Sequence, residues 1–337
     1  MSTLFFDGQE KQVTELLNSY EHHIVLVDAK TNGFCLLKLT RLLPILKSAS
    51  ILIIPDGEEH KTLDVLSLLW EQLTTLHASK KTLLINLGGG VLCDLGGFAA
   101  STFKRGIACL HIPTTLTAMV DAAIGGKTGI DWMGYKNLIG SFYEPVGIYI
   151  QPSFLETLPE KHLRSGMVEM WKHALIHSEE AWQSIKQKKL AQFLTLEVIQ
   201  NSLQVKLNLV EQDPFDEGVR QALNLGHTIG HAVEAWSLNN KRLLHGEAVL
   251  LGLIAECELA EQLLGLSSSI RNDLRLLKRT YFPNLSFQGS MENLLPYLLQ
   301  DKKNEQGIRM SLLKNPGDVA IQVSVPTSLI LKLGWHD

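Results

Sequence analysis

Leu83-Leu84-Ile85-Asn86-Leu87-Gly88-Gly89-Gly90-Val91-Leu92-Cys93-Asp94-Leu95-Gly96-Gly97 decides the fold of the N-terminal half. A short apolar run enters three glycines and leaves them in a helical pattern. Continuous apolar runs are strands buried on both faces, as in a parallel sheet. Glycine lets the backbone approach a ligand closely, and the free N–H groups of a helix start favour a phosphate. The turn therefore reads as a pyrophosphate cradle, although its spacing is not G-x-G-x-x-G and a ligand-free strand-to-helix turn has the same residues.

The neighbouring stretches repeat the pattern. Ile24-Val25-Leu26-Val27 ends at Asp28, and Ile51-Leu52-Ile53-Ile54 ends at Pro55-Asp56-Gly57. Leu63, Leu66, Leu69, Trp70 and Leu73 recur at helical spacing. Strands alternating with amphipathic helices indicate a mostly parallel, doubly covered sheet, whose ligands sit at the carboxyl ends of the strands. Two more strand ends carry polar groups. Asp56-Gly57-Glu58-Glu59-His60-Lys61 offers carboxylates for ribose hydroxyls and a lysine, and His111-Ile112-Pro113-Thr114-Thr115 offers hydroxyls. Each alone is also a turn and a helix cap; with the triple glycine they point to a dinucleotide.

The chain has 337 residues, 45% hydrophobic and 20% charged, which is enough for two domains and a soluble globular class. A net charge of -4 gives no global attraction to nucleic acid or an acidic membrane. No basic start and long apolar run marks a signal peptide, and Val249 to Ala255, stopped by Glu256, is too short to span a bilayer. A cytoplasmic location is expected. Cysteines 35, 93, 109 and 257 are isolated and read as reduced, buried residues.

Asp121-Ala-Ala-Ile124-Gly125-Gly126-Lys127-Thr128-Gly129 and Gly134-Tyr135-Lys136-Asn137 follow. Position 121 is Asp where a Walker motif needs glycine, so a P-loop is rejected. Lys127, Lys136 and Asn137 near flexible backbone suit a phosphate or carboxylate. Glycine turns thin out near residue 152, the expected domain boundary, giving domains 1–152 and 153–337. Residues 160 to 310 read mostly as helices, with a strand-like Ile308-Arg309-Met310-Ser311-Leu312-Leu313.

Asn224-Leu225-Gly226-His227-Thr228-Ile229-Gly230-His231 places two histidines one helical turn apart, and His245-Gly246-Glu247-Ala248 follows. A carboxylate with two or three histidines is the ligand set of catalytic zinc. Glu169, His227, His231 and His245 are the candidates, and spacing does not decide which three bind. Glu169 and Lys172 share a helix face, a pattern that also fits a simple intrahelical ion pair.

Together these motifs resemble the 3-dehydroquinate synthase family of sugar phosphate cyclases. The resemblance runs through Asp56-Gly-Glu-Glu-His-Lys61, Gly88-Gly-Gly-Val91, Asp94, Arg105-Gly106, Pro113-Thr-Thr115, Asp121, Gly125-Gly-Lys-Thr128, Lys136-Asn137, Leu158-Pro159, Glu169, Lys172, Asn224-Leu-Gly-His-Thr228, Gly230-His231, His245-Gly-Glu-Ala248 and Asp301-Lys-Lys303. Cys93 departs from the family's usual glycine, and Met167-Val-Glu-Met-Trp-Lys-His173 departs around a retained Glu169 and Lys172.

The resemblance implies an α/β plus α fold. An N-terminal Rossmann-like, mostly parallel sheet domain is joined to a C-terminal all-helical metal-binding domain, with a site in the cleft. It implies tightly held NAD, one divalent metal (zinc, sometimes cobalt), a phosphorylated sugar acid as substrate and a homodimer, with no nucleic-acid or membrane partner. The implied metal ligands are Glu169, His227 and His245. His231, Lys127, Asn137, Lys302 or Lys303, and Arg105 reaching a neighbouring subunit's site, are implied around the phosphate, and Lys136 is implied among the catalytic residues. Lys206, Arg220 and Asn224 hold the carboxylate and hydroxyls, and Asp121 and Lys172 stand near the reacting hydroxyls. Cofactor contacts are implied at Asp56, Gly57, Glu58, Glu59, His60 and Lys61, at Gly89, Gly90, Val91, Leu92, Cys93 and Asp94, at Thr114 and Thr115, at Lys127 and Lys136, and at Phe154, Leu155, Glu156 and Thr157. The rival readings are a cyclase making a cyclitol, a metal-dependent alcohol dehydrogenase and a non-catalytic nucleotide-binding module. The carboxylate-directed Arg220, Asn224 and Lys206 argue against the first, the phosphate-directed lysines against the second, and the intact metal set against the third.

Overall fold

A computed structural model describes residues 2–133, 135–238, 240–299 and 308–334. Lys302 and Lys303, expected at the phosphate, lie outside the described residues. By compactness the chain divides into one unit running up to Leu163 together with Leu194–Gln200, and a second of Arg164–Phe193 with the chain from Asn201 onward. The division falls later than residue 152 because the turn after that point is tied back to the first unit: Lys38 Nζ donates to Ser153 O (2.8 Å) and pairs with Glu156 (2.7 Å).

The first unit contains β1 (Thr3–Phe6), β2 (His22–Asp28), β3 (Ser50–Ile54), β4 (Thr82–Gly88), β5 (Ala108–Pro113), β6 (Lys127–Trp132), β7 (Tyr135–Phe142) and β8 (Gly147–Ile150). Its helices are α1 (Glu10–Leu17), α2 (Ala29–Phe34), α3 (Leu36–Leu42), α4 (Leu63–Thr75) and α5 (Gly90–Thr102). Six strands form one sheet in the order β1-β8-β5-β4-β2-β3, every pair parallel. β4 is buried along its whole length, as its unbroken apolar run requires. The order reverses between β2 and β4, and the crevice beyond such a reversal is where open α/β sheets bind ligands. The glycine turn after β4 opens there. Leu26, Ile54, Leu66, Leu84 and Leu95 pack a common core beneath it.

The Lys127 to Asn137 region is not the flexible glycine-rich loop that its composition indicates. β6 and β7 pair antiparallel, with Gly129 opposite Gly140. A Cβ on Gly140 would lie 2.0 Å from Thr128 O, so the two strands approach closely at these glycines.

The second unit holds most of α6 (Glu160–His177) and α8 (Leu196–Gln212), with α7 (Glu179–Ile185), α9 (His227–Ser237), α10 (His245–Leu264), α11 (Ser268–Tyr281), α12 (Met291–Leu298) and α13 (Thr327–Ile330). It is helical but not all-helical. β9 (Ile308–Asn315) and β10 (Asp318–Val325) form an antiparallel pair, β9 being the strand-like run seen in the sequence. Among the described residues no helix is long and apolar enough to cross a membrane. Glu256 does not end a buried stretch: it lies inside α10 and is itself fully buried.

Candidate active site

In the first unit the glycines of the 88–97 run serve two purposes. A Cβ on Gly96 would lie 2.1 Å from Asn86 Oδ1 and 2.9 Å from Leu26 Cδ2, so this glycine seats α5 against the sheet. Gly89, at the N-cap of α5, offers no side-chain cap, which leaves the first-turn N–H groups to a ligand or solvent. Leu92 and Cys93 are buried core side chains, so the turn presents backbone, and the departure at Cys93 is absorbed by packing. Thr114 N donates to Gly88 O (2.9 Å), and Thr115 Oγ1 accepts from Ala118 N (3.2 Å).

Lys61 is 2% exposed, and its Nζ meets Asp94 Oδ2 at 2.5 Å and also bonds Asn137 Oδ1. Burial opposes the charge on Lys61, but Asp94 and Glu58 overcome it and hold its pKa above the usual lysine range. Lys136 reaches Glu58 at 3.3 Å. The structure thus joins Lys61, Glu58 and Asp94, expected at the cofactor, with Lys136 and with Asn137, expected at the phosphate. Asn137 adopts φ 53, and its N–H donates to Asp131 Oδ1 at 2.9 Å. Asp56 pairs with Lys30 at 2.5 Å. Phe154 and Leu155 are core side chains, while Glu156 and Thr157 are exposed. Asp121 is half-buried in a short π-helical turn, Ala118–Ala122, and Lys127 and Arg105 are exposed.

In the second unit α6 presents Glu169 and Lys172, which are 0% and 1% exposed and 2.6 Å apart. Sequence allowed a surface pair of this kind; the structure makes it a buried one. α9 starts at His227. Gly226 before it has φ 78, and a Cβ there would lie 2.6 Å from Leu253 Cγ. On α10, a Cβ on Gly252 would lie 2.0 Å from Gly226 O and 2.7 Å from Gly230 N. α9 and α10 therefore cross backbone to backbone, which brings His227 beside His245, the first residue of α10. Gly246 plays the same part toward α6: its N–H donates to Ser165 Oγ (2.9 Å), and a Cβ would lie 2.2 Å from Ser165 O. Glu247 Oε2 accepts from Leu244 N at 2.8 Å, capping α10.

Three donor atoms converge as a result. His245 Nε2 lies 3.3 Å and His227 Nε2 3.7 Å from Glu169 Oε1. Glu169, His227 and His245 have donor atoms all within 4.8 Å of one another. Each imidazole is oriented from behind: His227 Nδ1 donates to Leu225 O (3.1 Å) and His245 Nδ1 to Glu234 Oε2 (3.2 Å). Both Nε2 atoms are thereby directed at a buried carboxylate oxygen that no hydrogen-bond donor satisfies. Burial opposes ionisation of Glu169, yet Lys172 and the two histidines hold its carboxyl well below the usual range. Burial, with Lys172 beside it, keeps His227 well below the usual imidazole range. Burial opposes charge on His245, but Glu234 and Glu169 lift its pKa to about 10. Two inward nitrogens and a buried carboxylate oxygen that no hydrogen-bond donor satisfies fit a divalent cation.

His231, paired with His227 by spacing, belongs to a different group. Its donor atom lies with those of Glu234 and His245 within 4.8 Å, and its side chain is exposed. The rings of His227 and His231 meet edge-on at 5.1 Å. Lys206 and Arg220 are buried, Arg220 Nη1 donating to Pro214 O at 2.7 Å, and Asn224 is exposed at the end of the Val219–Asn224 turn. Sequence reasoning missed two residues. Glu234 lies one turn past His231 on the histidine face of α9, a readable signal. Glu256 accepts from the N–H groups of Gly226 (2.5 Å), Ile229 (3.0 Å) and Thr228, capping α9 from α10, and nothing local signals that.

The fold is one found in sugar phosphate cyclases. A solved 2-deoxy-scyllo-inosose synthase, complexed with carbaglucose-6-phosphate, NAD+ and Co2+, matches with a TM-score of 0.85 at 24% identity, covering 98% of this chain and 95% of that one. The chain belongs to the 3-dehydroquinate synthase family: the family's N-terminal model matches residues 51–165 and its C-terminal model residues 166–304. It is 40% identical to the 3-dehydroquinate synthase of Parabacteroides distasonis, over 96% of this chain and 94% of that one. It is 34% identical to that of Staphylococcus aureus, over 96% and 92%.

Proposed function

We infer that this chain converts 3-deoxy-D-arabino-heptulosonate 7-phosphate to 3-dehydroquinate and phosphate. It would act as a cyclising phosphorus-oxygen lyase, in the cytoplasm and as a homodimer. The observation that carries the reading is the convergence of His227 Nε2 and His245 Nε2 on the orphaned Glu169 Oε1 in a member of this family. The NAD+ and Co2+ held by the solved 2-deoxy-scyllo-inosose synthase support the cofactor assignment.

Glu169, His227 and His245 would hold the metal, and the backbone of the glycine turn after β4 the dinucleotide. Bound there, NAD+ would supply reversible hydride transfer at C5 and the metal Lewis acidity toward the hydroxyl oxygen. Lys172, buried against Glu169, would donate a hydrogen bond to that hydroxyl oxygen. Arg220, Lys206 and Asn224 orient the carboxylate and hydroxyls, the bidentate guanidinium suiting a carboxylate. The C5 ketone acidifies C6–H. An oxygen of the substrate's own phosphate removes that proton, the C6–C7 double bond forms, the C7–O bond breaks and phosphate leaves. His231 stabilises the departing dianion, and Lys127, Asn137, a lysine of the 302–303 pair and Arg105 of a neighbouring copy are assigned to the phosphate with it, with Lys136 among the catalytic residues. Asp121 is assigned to the reacting hydroxyls. After reduction at C5 the ring opens, and the C7 enol carbon attacks the C2 ketone to close the carbocycle. The protein supplies positioning and charge more than dedicated acids and bases.

The test gives purified protein a catalytic amount of NAD+, Zn2+ and the heptulosonate phosphate, following phosphate and dehydroquinate. Multiple turnovers per NAD+ are expected. No phosphate release, or release that needs stoichiometric NAD+, overturns the reading. The fold is shared with a cyclitol-forming enzyme, so glucose 6-phosphate is the comparison substrate; turnover of it alone would favour that second reading.

A further inference from the structure

We propose that Glu234 is a positioning residue of the metal centre: by accepting the Nδ1 proton of His245, its carboxylate fixes the tautomer and ring orientation in which His245 presents Nε2 to the cation. The inference rests on the reading that Glu169, His227 and His245 hold a divalent metal.

The two histidines are oriented by different means. His227 Nδ1 donates to Leu225 O, a backbone carbonyl two residues before it, so the local chain sets its tautomer. His245 opens α10, and its Nδ1 is met by a side chain from another helix, Glu234 Oε2 at 3.2 Å. That carboxylate is 7% exposed, whereas the His245 side chain is 31% exposed. A partly exposed imidazole at a helix start can rotate; a buried carboxylate behind it removes that freedom. Outer carboxylates of this kind fix ring orientation and strengthen the ligand, and their loss weakens metal binding about 10–100-fold.

A competing geometry is present. His231, Glu234 and His245 also bring donor atoms within 4.8 Å of one another, so Glu234 could itself be a ligand. That arrangement would spend His245 Nδ1 on the cation, rely on the exposed His231, and leave His227 Nε2 and the buried Glu169 outside the site. The hydrogen bond between Nδ1 and Glu234, and the convergence of His227 Nε2 and His245 Nε2 on the buried Glu169, favour Glu234 as the outer partner.

The experiment measures Zn2+ affinity by chelator competition, and the visible spectrum of the Co2+ form, in the full chain. The variants are Glu234→Gln, Glu234→Ala, His245→Ala and the double variant, each checked for folding by circular dichroism. Glu234→Ala is expected to weaken Zn2+ about 10–100-fold and to shift the Co2+ bands. Glu234→Gln, which keeps an acceptor for Nδ1–H, should retain most of the affinity and the wild-type spectrum. In the His245→Ala background, Glu234→Ala should add nothing. An affinity within twofold of wild type for Glu234→Ala overturns the proposal. So does a Gln variant as weak as the Ala variant with additive loss in the double variant, which would make Glu234 a ligand. A wild-type chain that binds no Zn2+ overturns the underlying metal reading instead. If Glu234→Ala does not fold, the Gln variant alone and in the His245→Ala background decides between the same outcomes.

Discussion

Glu169 Oε1 and His245 Nε2 stand 3.3 Å apart, although α6 and α10, which carry them, are far apart in the chain. The approach depends on Gly246, where α10 meets Ser165 of α6, and it places an imidazole nitrogen against a fully buried carboxylate oxygen. Such an arrangement is stable with a cation in it and costly without one.

The division of the histidines predicts a division of phenotypes. His245→Ala should lose metal, whereas His231→Ala should keep metal and lose turnover. Elemental analysis of the purified variants, with phosphate release measured in parallel, checks it. Metal loss in both would mean that His231 is a ligand.

The helix crossing predicts that Gly252→Ala damages stability and metal binding together. The added Cβ would lie 2.0 Å from Gly226 O and 2.7 Å from Gly230 N, both backbone atoms that cannot rotate away. α9 and α10 must separate, at a cost of about 1–3 kcal/mol, and His227 moves away from His245. Gly33→Ala, where a Cβ meets nothing within 4 Å, is the control. Urea unfolding and Zn2+ affinity of both variants distinguish a local packing effect from a general one.

Lys61 is buried while Asp94 keeps 20% of its side chain exposed. Asp94→Ala strands the ammonium and should cost about 3 kcal/mol, the lower end for breaking a buried pair. Lys61→Met, which removes the buried charge, should cost less. Urea midpoints of the two variants provide the comparison, and an equal loss would argue that Asn137 suffices as a partner.

Glu256 predicts a pH signature. Burial pushes its carboxyl from 4.5 up to about 8, against the pull of the N–H groups of Ile229, Gly226 and Thr228. The folded chain then holds a proton that the unfolded chain has released, so this group's contribution to stability is present below pH 4.5 and is lost as pH rises toward about 8. The loss is at most about 1.4 kcal/mol for each pH unit. Glu256→Gln should flatten the curve, read as the difference between wild-type and variant urea midpoints over that interval. Parallel curves would mean that the three N–H donors keep Glu256 ionised throughout.

Sequence by itself determined the parallel α/β unit, since β2 and β4 are continuous apolar runs that end in glycine or acidic turns and only a doubly covered sheet buries such runs, while the similar run of β3 forms the sheet's edge with Ile51 and Ile53 exposed. It also supplied the family motifs and the candidates Glu169, His227, His231 and His245. It misjudged the region from Lys127 to Asn137, because glycines that allow two strands to pack closely look the same as glycines in a loop. Helical spacing made His227 and His231 one pair, because local periodicity reports only which residues share a face. Tertiary structure decided the rest. The crossing of α9 and α10 at Gly226 and Gly252, and the approach of α10 to α6 at Gly246, set His227 and His245 against Glu169 and left His231 with Glu234. Those contacts join residues distant in the chain, and no local pattern encodes which backbone a missing Cβ makes room for.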